Sequence, residues 1–133
     1  MKKKLANTLG AKKGAATLLV LFIPSVDRFE QPIDQETWVD RALNFLGSAF
    51  GGATAFPKAK GVWRDDDRAN ELVFDEPVIM NCYTSEKLIE EQADELRTFL
   101  LEMGTETQQG AVGLVIDRDY LEIAFPLEGQ TNG

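Results

Sequence analysis

The chain has 133 residues, 44% of them hydrophobic and 27% charged, and a net charge of −8 at pH 7, which fits one globular domain with a real core. It contains no histidine, which excludes Ser-His-Asp and Cys-His catalysis, imidazole metal ligands and an imidazole proton shuttle. The single cysteine, Cys82, excludes an intrachain disulfide and a cysteine-rich zinc site, and its apolar strand context marks a buried, inert thiol.

Five of the 14 basic residues (Lys2, Lys3, Lys4, Lys12 and Lys13) fall in the first 13 positions, which hold no acid. Residues 1–15 read as a disordered basic leader, the alternative being a mobile arm that touches nucleic acid or anionic lipid. The other nine basic residues face all 22 acidic ones, so the body of the protein repels a nucleic-acid backbone. Leu18–Ile23 is too short to span a bilayer. Lysines followed by Ala15–Ile23 imitate a signal peptide, but the apolar run is short. It ends in Pro24-Ser25-Val26-Asp27 without a small-x-small cleavage site, so a cytoplasmic location is expected.

Thr17–Ile23 is a continuous apolar run and predicts a central strand, ended by Pro24. Asp34 predicts a helix N-cap, with Ile33 and Trp38 at the spacing of a hydrophobic staple. Val39, Ala42, Leu43, Leu46, Ala49 and Phe50 continue one buried stripe, and Gly51-Gly52 stops the helix. A strand over about 53–64, broken near Pro57, leads through the acidic turn at Asp65–Asn70 to a second strand over about 71–83. Pro77 marks that second strand as an edge or a bulge. In it Val78, Met80 and Cys82 point one way, and Ile79, Asn81 and Tyr83 the other. Thr84 or Ser85 caps a second helix with the stripe Leu88, Ile89, Ala93, Leu96, Phe99, Leu100 and Met103, ended by Gly104. Val112–Ile116 and Tyr120–Phe125 form a last hairpin around Asp117-Arg118-Asp119, and residues 127–133 are expected to fray.

The order β-α-β-β-α-β with an extra terminal strand predicts an α+β domain over residues 16–126, of the ferredoxin-like split βαβ kind. Its antiparallel sheet carries two helices on one face. The other face exposes some of Phe74, Ile79, Tyr83, Val115 and Leu121, so a homodimer that covers it is the expected partner. The segments Gly51–Phe56, Gly61-Val62-Trp63-Arg64-Asp65, Glu76-Pro77-Val78 and Val112–Asp117 together resemble a family of small uncharacterised bacterial proteins. They are more weakly similar to other domains of unknown function with a Gly-x-Trp-Arg-Asp hairpin. The resemblance covers about residues 17–125, implies a compact α+β domain and carries no catalytic residue to transfer.

Gly51-Gly52 with Thr54 imitates a phosphate loop, but the glycines follow a helix rather than lead into one, so a C-cap is the better reading. Trp63 and Arg64 with Lys58 and Lys60 combine a stacking ring with donors, the composition of an anion or single-strand surface. The alternative is that Trp63 packs under a helix while Arg64 pairs with the acidic turn. Arg64 and Tyr83 across a hairpin, joined by Thr54, form the expected pocket, and Gln109 of the loop 105–110 is a further candidate ligand contact. The acids Asp65, Asp66, Asp67, Glu71, Asp75 and Glu76 lack calcium-loop spacing and read as a solvated tip. No catalytic residue, metal or cofactor is assigned. The expected function is a non-catalytic, homodimeric binding or regulatory domain. The alternatives are a small enzyme using Arg64, Tyr83 and a carboxylate such as Glu76, and nucleic-acid association through the basic arm.

Overall fold

The computed structural model describes residues 2–127. The helix α1 (Lys2–Leu9) precedes β1 (Thr17–Ile23), α2 (Gln35–Phe50), β2 (Thr54–Ala55), β3 (Gly61–Asp65), β4 (Glu71–Asp75) and β5 (Val78–Thr84). The helices α3 (Glu86–Glu91) and α4 (Ala93–Glu106) follow, then β6 (Ala111–Ile116) and β7 (Asp119–Ala124). The domain is α+β. Five strands form one sheet in the order β2-β5-β1-β6-β7 with every neighbouring pair antiparallel, and β3 and β4 form a separate two-stranded sheet.

β1 sits in the middle because it is apolar throughout. Its alternate residues Leu19, Leu21 and Ile23 are fully buried on the helix-covered face, beside Val78, Met80 and Cys82 of β5 and Val112 and Leu114 of β6. Above them α2 contributes Trp38, Ala42, Leu46 and Phe50, and α4 contributes Leu96, Phe99, Leu100 and Met103. Full burial of one such leucine contributes about 1.5–3 kcal/mol. The two helices also meet through rings: Phe45 stacks on Phe99 with centroids 5.2 Å apart, and Trp38 meets Phe99 edge-on at 6.1 Å. Arg41 closes the outside of that junction, lying over the Trp38 ring at 3.9 Å and pairing with Glu102 and Glu106 of α4.

The helix ends follow local chemistry. Oδ1 of Asp34 accepts from the Thr37 N–H at 3.3 Å, and Oγ of Ser85 accepts from the Leu88 N–H at 3.1 Å. Gly51 ends α2 in the left-handed region at φ +94°, its N–H donating to the Gly47 carbonyl. The buried Gln35 ties the start of α2 to the sheet, its Nε2 donating to the carbonyls of Ile23 and Glu76 at 3.0 Å each.

Several expectations change. The strand expected over about 53–64 is two elements: regular pairing stops after Ala55, Phe56 and Ala59 keep only single N–H bonds to the Ile79 and Pro77 carbonyls, and the chain becomes a strand again at Gly61–Asp65 as half of a hairpin. The strand expected over 71–83 likewise divides at Glu76-Pro77, since proline offers no ladder donor. Phe74 therefore lies on the hairpin rather than on the open face of the main sheet. The second helix breaks at Gln92 into α3 and α4. Gly104 does not stop α4. It lies inside the helix, where a Cβ would overlap the Phe125 ring, so it is a packing glycine. Where a disordered leader was expected, Lys2–Leu9 is helical and buries no residue. Apart from Leu127, the tail expected to fray lies outside the described residues. Among those residues no helix is long and apolar enough to cross a membrane.

Gly104→Ala is expected to destabilise the domain by about 1–3 kcal/mol through overpacking. Urea denaturation checks this, and Gly47→Ala, at a helical glycine with open space around it, serves as the control that does not.

Candidate functional site

The register of the sheet builds a groove at the end where β5 terminates. The edge strand β2 pairs with β5 so that Thr54 stands beside Asn81, and β1 places Leu18 beside Tyr83. The left-handed Gly51 turns the chain from α2 into β2, and Phe50, the last helical residue, is buried beneath the turn. One lobe of the groove, of about 270 Å³, is lined by Phe50, Gly51, Gly52, Thr54, Asn81 and Tyr83. A second, of about 470 Å³, lies between Lys13, Ala15, Phe50, Thr84, Ser85 and Leu88, again with Tyr83 on its wall. Tyr83 thus divides the lobes, with 67% of its surface exposed. The groove wraps around the sheet end, because Tyr83 and Asn81 belong to the open face while Thr84 turns toward the helices.

The chemistry of this lining is selective. It offers an exposed aromatic face, hydroxyls, one carboxamide and a single charged side chain, Lys13. Such a surface suits a flat heteroaromatic group with polar ends. It presents no carboxylate to act as general base and no activated nucleophile. Cys82, on the strand that carries Tyr83, is buried on the opposite face, and burial raises its thiol pKa so that it stays protonated.

The sequence-predicted site residues divide. Thr54 and Tyr83 line the groove, whereas Lys58, Lys60, Trp63 and Arg64 do not. The two lysines lie exposed between β2 and β3, and Trp63 and Arg64 belong to the β3–β4 hairpin. Tyr83 pairs with Leu18 rather than across a hairpin from Arg64. The Arg64 Nε donates to Asp66 at 2.5 Å, with both side chains largely exposed, so its partner is the acidic turn next door. Glu76 uses its backbone instead: its N–H donates to Oγ of Ser25 and its carbonyl accepts from Gln35. Gln109 is an internal strut, its Nε2 donating to the Val26 carbonyl at 2.8 Å and to Thr107.

The acidic residues of the hairpin are occupied in the same local way. Asp65 caps the turn through the Asp67 N–H, Glu71 pairs with Arg68, and Asp75 accepts from the backbone and hydroxyl of Ser25. Among the described residues no group of three or more acidic or cysteine side chains is placed to hold a metal ion. Lys13, Phe50, Asn81, Thr84 and Ser85 went unrecognised as site residues. Asn81 did carry a signal, a carboxamide in an otherwise apolar strand.

No protein-family model matches the chain, and no curated protein sequence does. Solved structures do share its fold. A phage SAM lyase in complex with S-methyl-5'-thioadenosine superposes with a TM-score of 0.62 at 17% identity, covering 84% of this chain and 92% of that one. Phage SAM lyase in its apo state gives 0.59 at 15% identity, covering 86% and 93%. At these identities the likeness establishes the fold. It also corrects the expectation of a non-catalytic binding or regulatory domain, because the fold shared over nearly the whole length is that of an enzyme.

Arg64→Ala is expected to change stability by less than about 1 kcal/mol, as for an exposed ion pair, and to leave ligand binding in the groove unaltered. Thermal melts and titrations of the variant check both.

Proposed function

We propose that this protein is a SAM lyase that releases S-methyl-5'-thioadenosine from S-adenosylmethionine in the groove around Tyr83. The observation that carries the reading is the near-full-length likeness to the phage enzyme, 92% of whose chain is covered. The topology we read as a ferredoxin-like split βαβ. The order β2-β5-β1-β6 with antiparallel neighbours supports it, with the β3–β4 hairpin inserted between β2 and β5 and β7 added at the edge.

The chemistry fits a protein without histidine. S-methyl-5'-thioadenosine keeps the methyl and adenosyl groups on sulfur, so the bond that breaks joins sulfur to the four-carbon amino-acid chain. Its electron pair returns to a positively charged sulfonium, and a neutral thioether departs without needing a proton. The carbon fragment balances by closing on its own carboxylate, whose oxygen bonds to the carbon that leaves sulfur, so neither water nor a proton acceptor is consumed. The protein's part is to bind and orient. An exposed tyrosine face attracts a ligand cation by about 0.5–2 kcal/mol, and the net charge of −8 draws a cationic substrate toward the surface.

Incubation of the purified protein with S-adenosylmethionine is expected to yield one S-methyl-5'-thioadenosine per substrate lost, followed by chromatography. Tyr83→Ala is expected to lower kcat/KM at least about tenfold, equivalent to about 1.4 kcal/mol, while Tyr83→Phe keeps the ring and most of the activity. Absence of the thioadenosine with well-folded wild-type protein sinks the reading.

A homodimer belongs to the same proposal. Leu18, Val20, Phe22, Ile79 and Val115 share the sheet face opposite the helices and are only half-buried within one chain. A second copy covering that face would remove their remaining surface from water. Light scattering is expected to give twice the chain mass, and a monomer at high concentration contradicts it.

A further inference from the structure

We infer that α1 of one copy docks on the outer face of the β3–β4 hairpin of a second copy, and the reverse, so that two exchanged helices close the homodimer; this rests on the dimer proposed above and not on the lyase reading. Residues opposite one another in an antiparallel pair share a face. Val62 with Phe74 and Arg64 with Leu72 therefore lie on one side of the hairpin, and Trp63 with Val73 on the other. Val73 is buried and marks the inner side. On the outer side Val62, Leu72 and Phe74 are exposed at 55%, 59% and 67%. Three large apolar side chains grouped on one small sheet mark an interaction surface.

α1 has the matching face. Leu5 and Leu9, one turn apart on the same side, are exposed at 55% and 70%, and the helix buries no residue. A free helix of this length is marginal in water, so α1 gains from a surface to lie on. Charge selects that surface. Lys2, Lys3 and Lys4 belong to α1, whereas residues 65–71 at the hairpin tip hold four acids and one base. Arg64 and Arg68 already pair with Asp66 and Glu71, which leaves Asp65 and Asp67 without a cation among the described residues. Lys58 and Lys60 lie at the other end of the hairpin, where Asp75 and Glu76 match them.

α1 is tethered away from its own hairpin. β1 starts at Thr17 beside Thr84 and ends at Ile23 beside Val78. The hairpin is held at that far end, where Asp75 accepts from the Ser25 N–H and Arg68 donates to the Arg28 carbonyl. The seven residues of β1 cover about 20 Å. Gly10, at φ +65°, closes α1, and the N–H groups of Gly10 and Ala11 donate to the Asn7 and Ala6 carbonyls. Residues 12–16 remain as linker and span at most about 18 Å. Two copies running antiparallel over their open sheet faces instead set each helix at the other's hairpin, and the contact closes at two.

Sedimentation of the full chain over a range of concentrations tests this. Leu5→Ser with Leu9→Ser, and separately Leu72→Ser with Phe74→Ser, are each expected to raise the dimer dissociation constant about tenfold. All four substitutions together should cost little more than either pair, since both pairs remove the same contact. Chains carrying Leu9→Cys and chains carrying Leu72→Cys should form a mixed disulfide on air oxidation, and a chain carrying both should link to a second chain. Cys82 is buried and does not compete. Losses that multiply to about a hundredfold, a disulfide closed within one chain, or a dimer that neither pair of substitutions weakens overturns the exchange, the last while leaving the dimer itself intact. Binding of wild type to phosphatidylserine vesicles that Leu5→Ser with Leu9→Ser abolishes, with the dimer unchanged, assigns α1 to a lipid surface and overturns it too. Wild-type protein that stays monomeric at every concentration overturns the dimer reading as well.

Discussion

Everything in this domain is referred to one strand. β1 is apolar at nearly every position and lies third of five, hydrogen-bonded to β5 on one side and β6 on the other. Its three fully buried residues, Leu19, Leu21 and Ile23, form the floor onto which α2 and α4 press their stripes. Because the side chains of a strand alternate, that commitment of one face leaves Leu18, Val20 and Phe22 on the other. A slip of one residue would exchange the two sets, so the burial of the helical face also fixes which residues face outward.

The groove inherits its geometry from that register. Leu18 of β1 stands opposite Tyr83, and the same alternation that buries Met80 and Cys82 turns Asn81 and Tyr83 to the open side. The stop of α2 at Gly51 then delivers a two-residue edge strand beside them. Neither lobe is a deep cavity. Each is the meeting of a helix end, a strand end and an edge, and Tyr83 belongs to both because β5 reaches the end of the sheet there. The floor is the buried ring of Phe50, so the core and the groove share a wall.

The missing histidine reads differently in this setting. It removes a large set of hydrolytic and metal-dependent mechanisms, and the lyase reaction we propose needs none of them, because its sulfonium substrate carries its own leaving group. The proposed reaction would depend on holding a flexible cation in one conformation, as an exposed ring face can. The hairpin that carries Arg64 and Trp63 is instead closed on itself by short-range pairs, and its base is held to the body through Ser25 and Asp75.

Much of the architecture was legible in the chain itself. The apolar run Thr17–Ile23, the caps at Asp34 and Ser85, the left-handed stop at Gly51 and the hairpin around Asp117 are local events, governed by side chains within a few residues of one another. Tyr83 and Thr54 were named for a pocket with Arg64 across a hairpin, whereas the strand register sets them beside Leu18 and Asn81 instead. The division of the 53–64 and 71–83 segments was harder, because a proline in a strand marks an irregularity without saying where the chain goes next. Three assignments required the tertiary structure. Gly104 packs against Phe125, Gln109 braces Val26, and Lys13 comes to the same lobe as Thr84. Each joins residues far apart in sequence, and no local pattern encodes such a meeting. The sequence by itself determined the elements and their buried faces, since periodicity and capping act over one or two turns. Only the folded sheet decided which polar residues share a groove, because that depends on strand order and register across the whole chain.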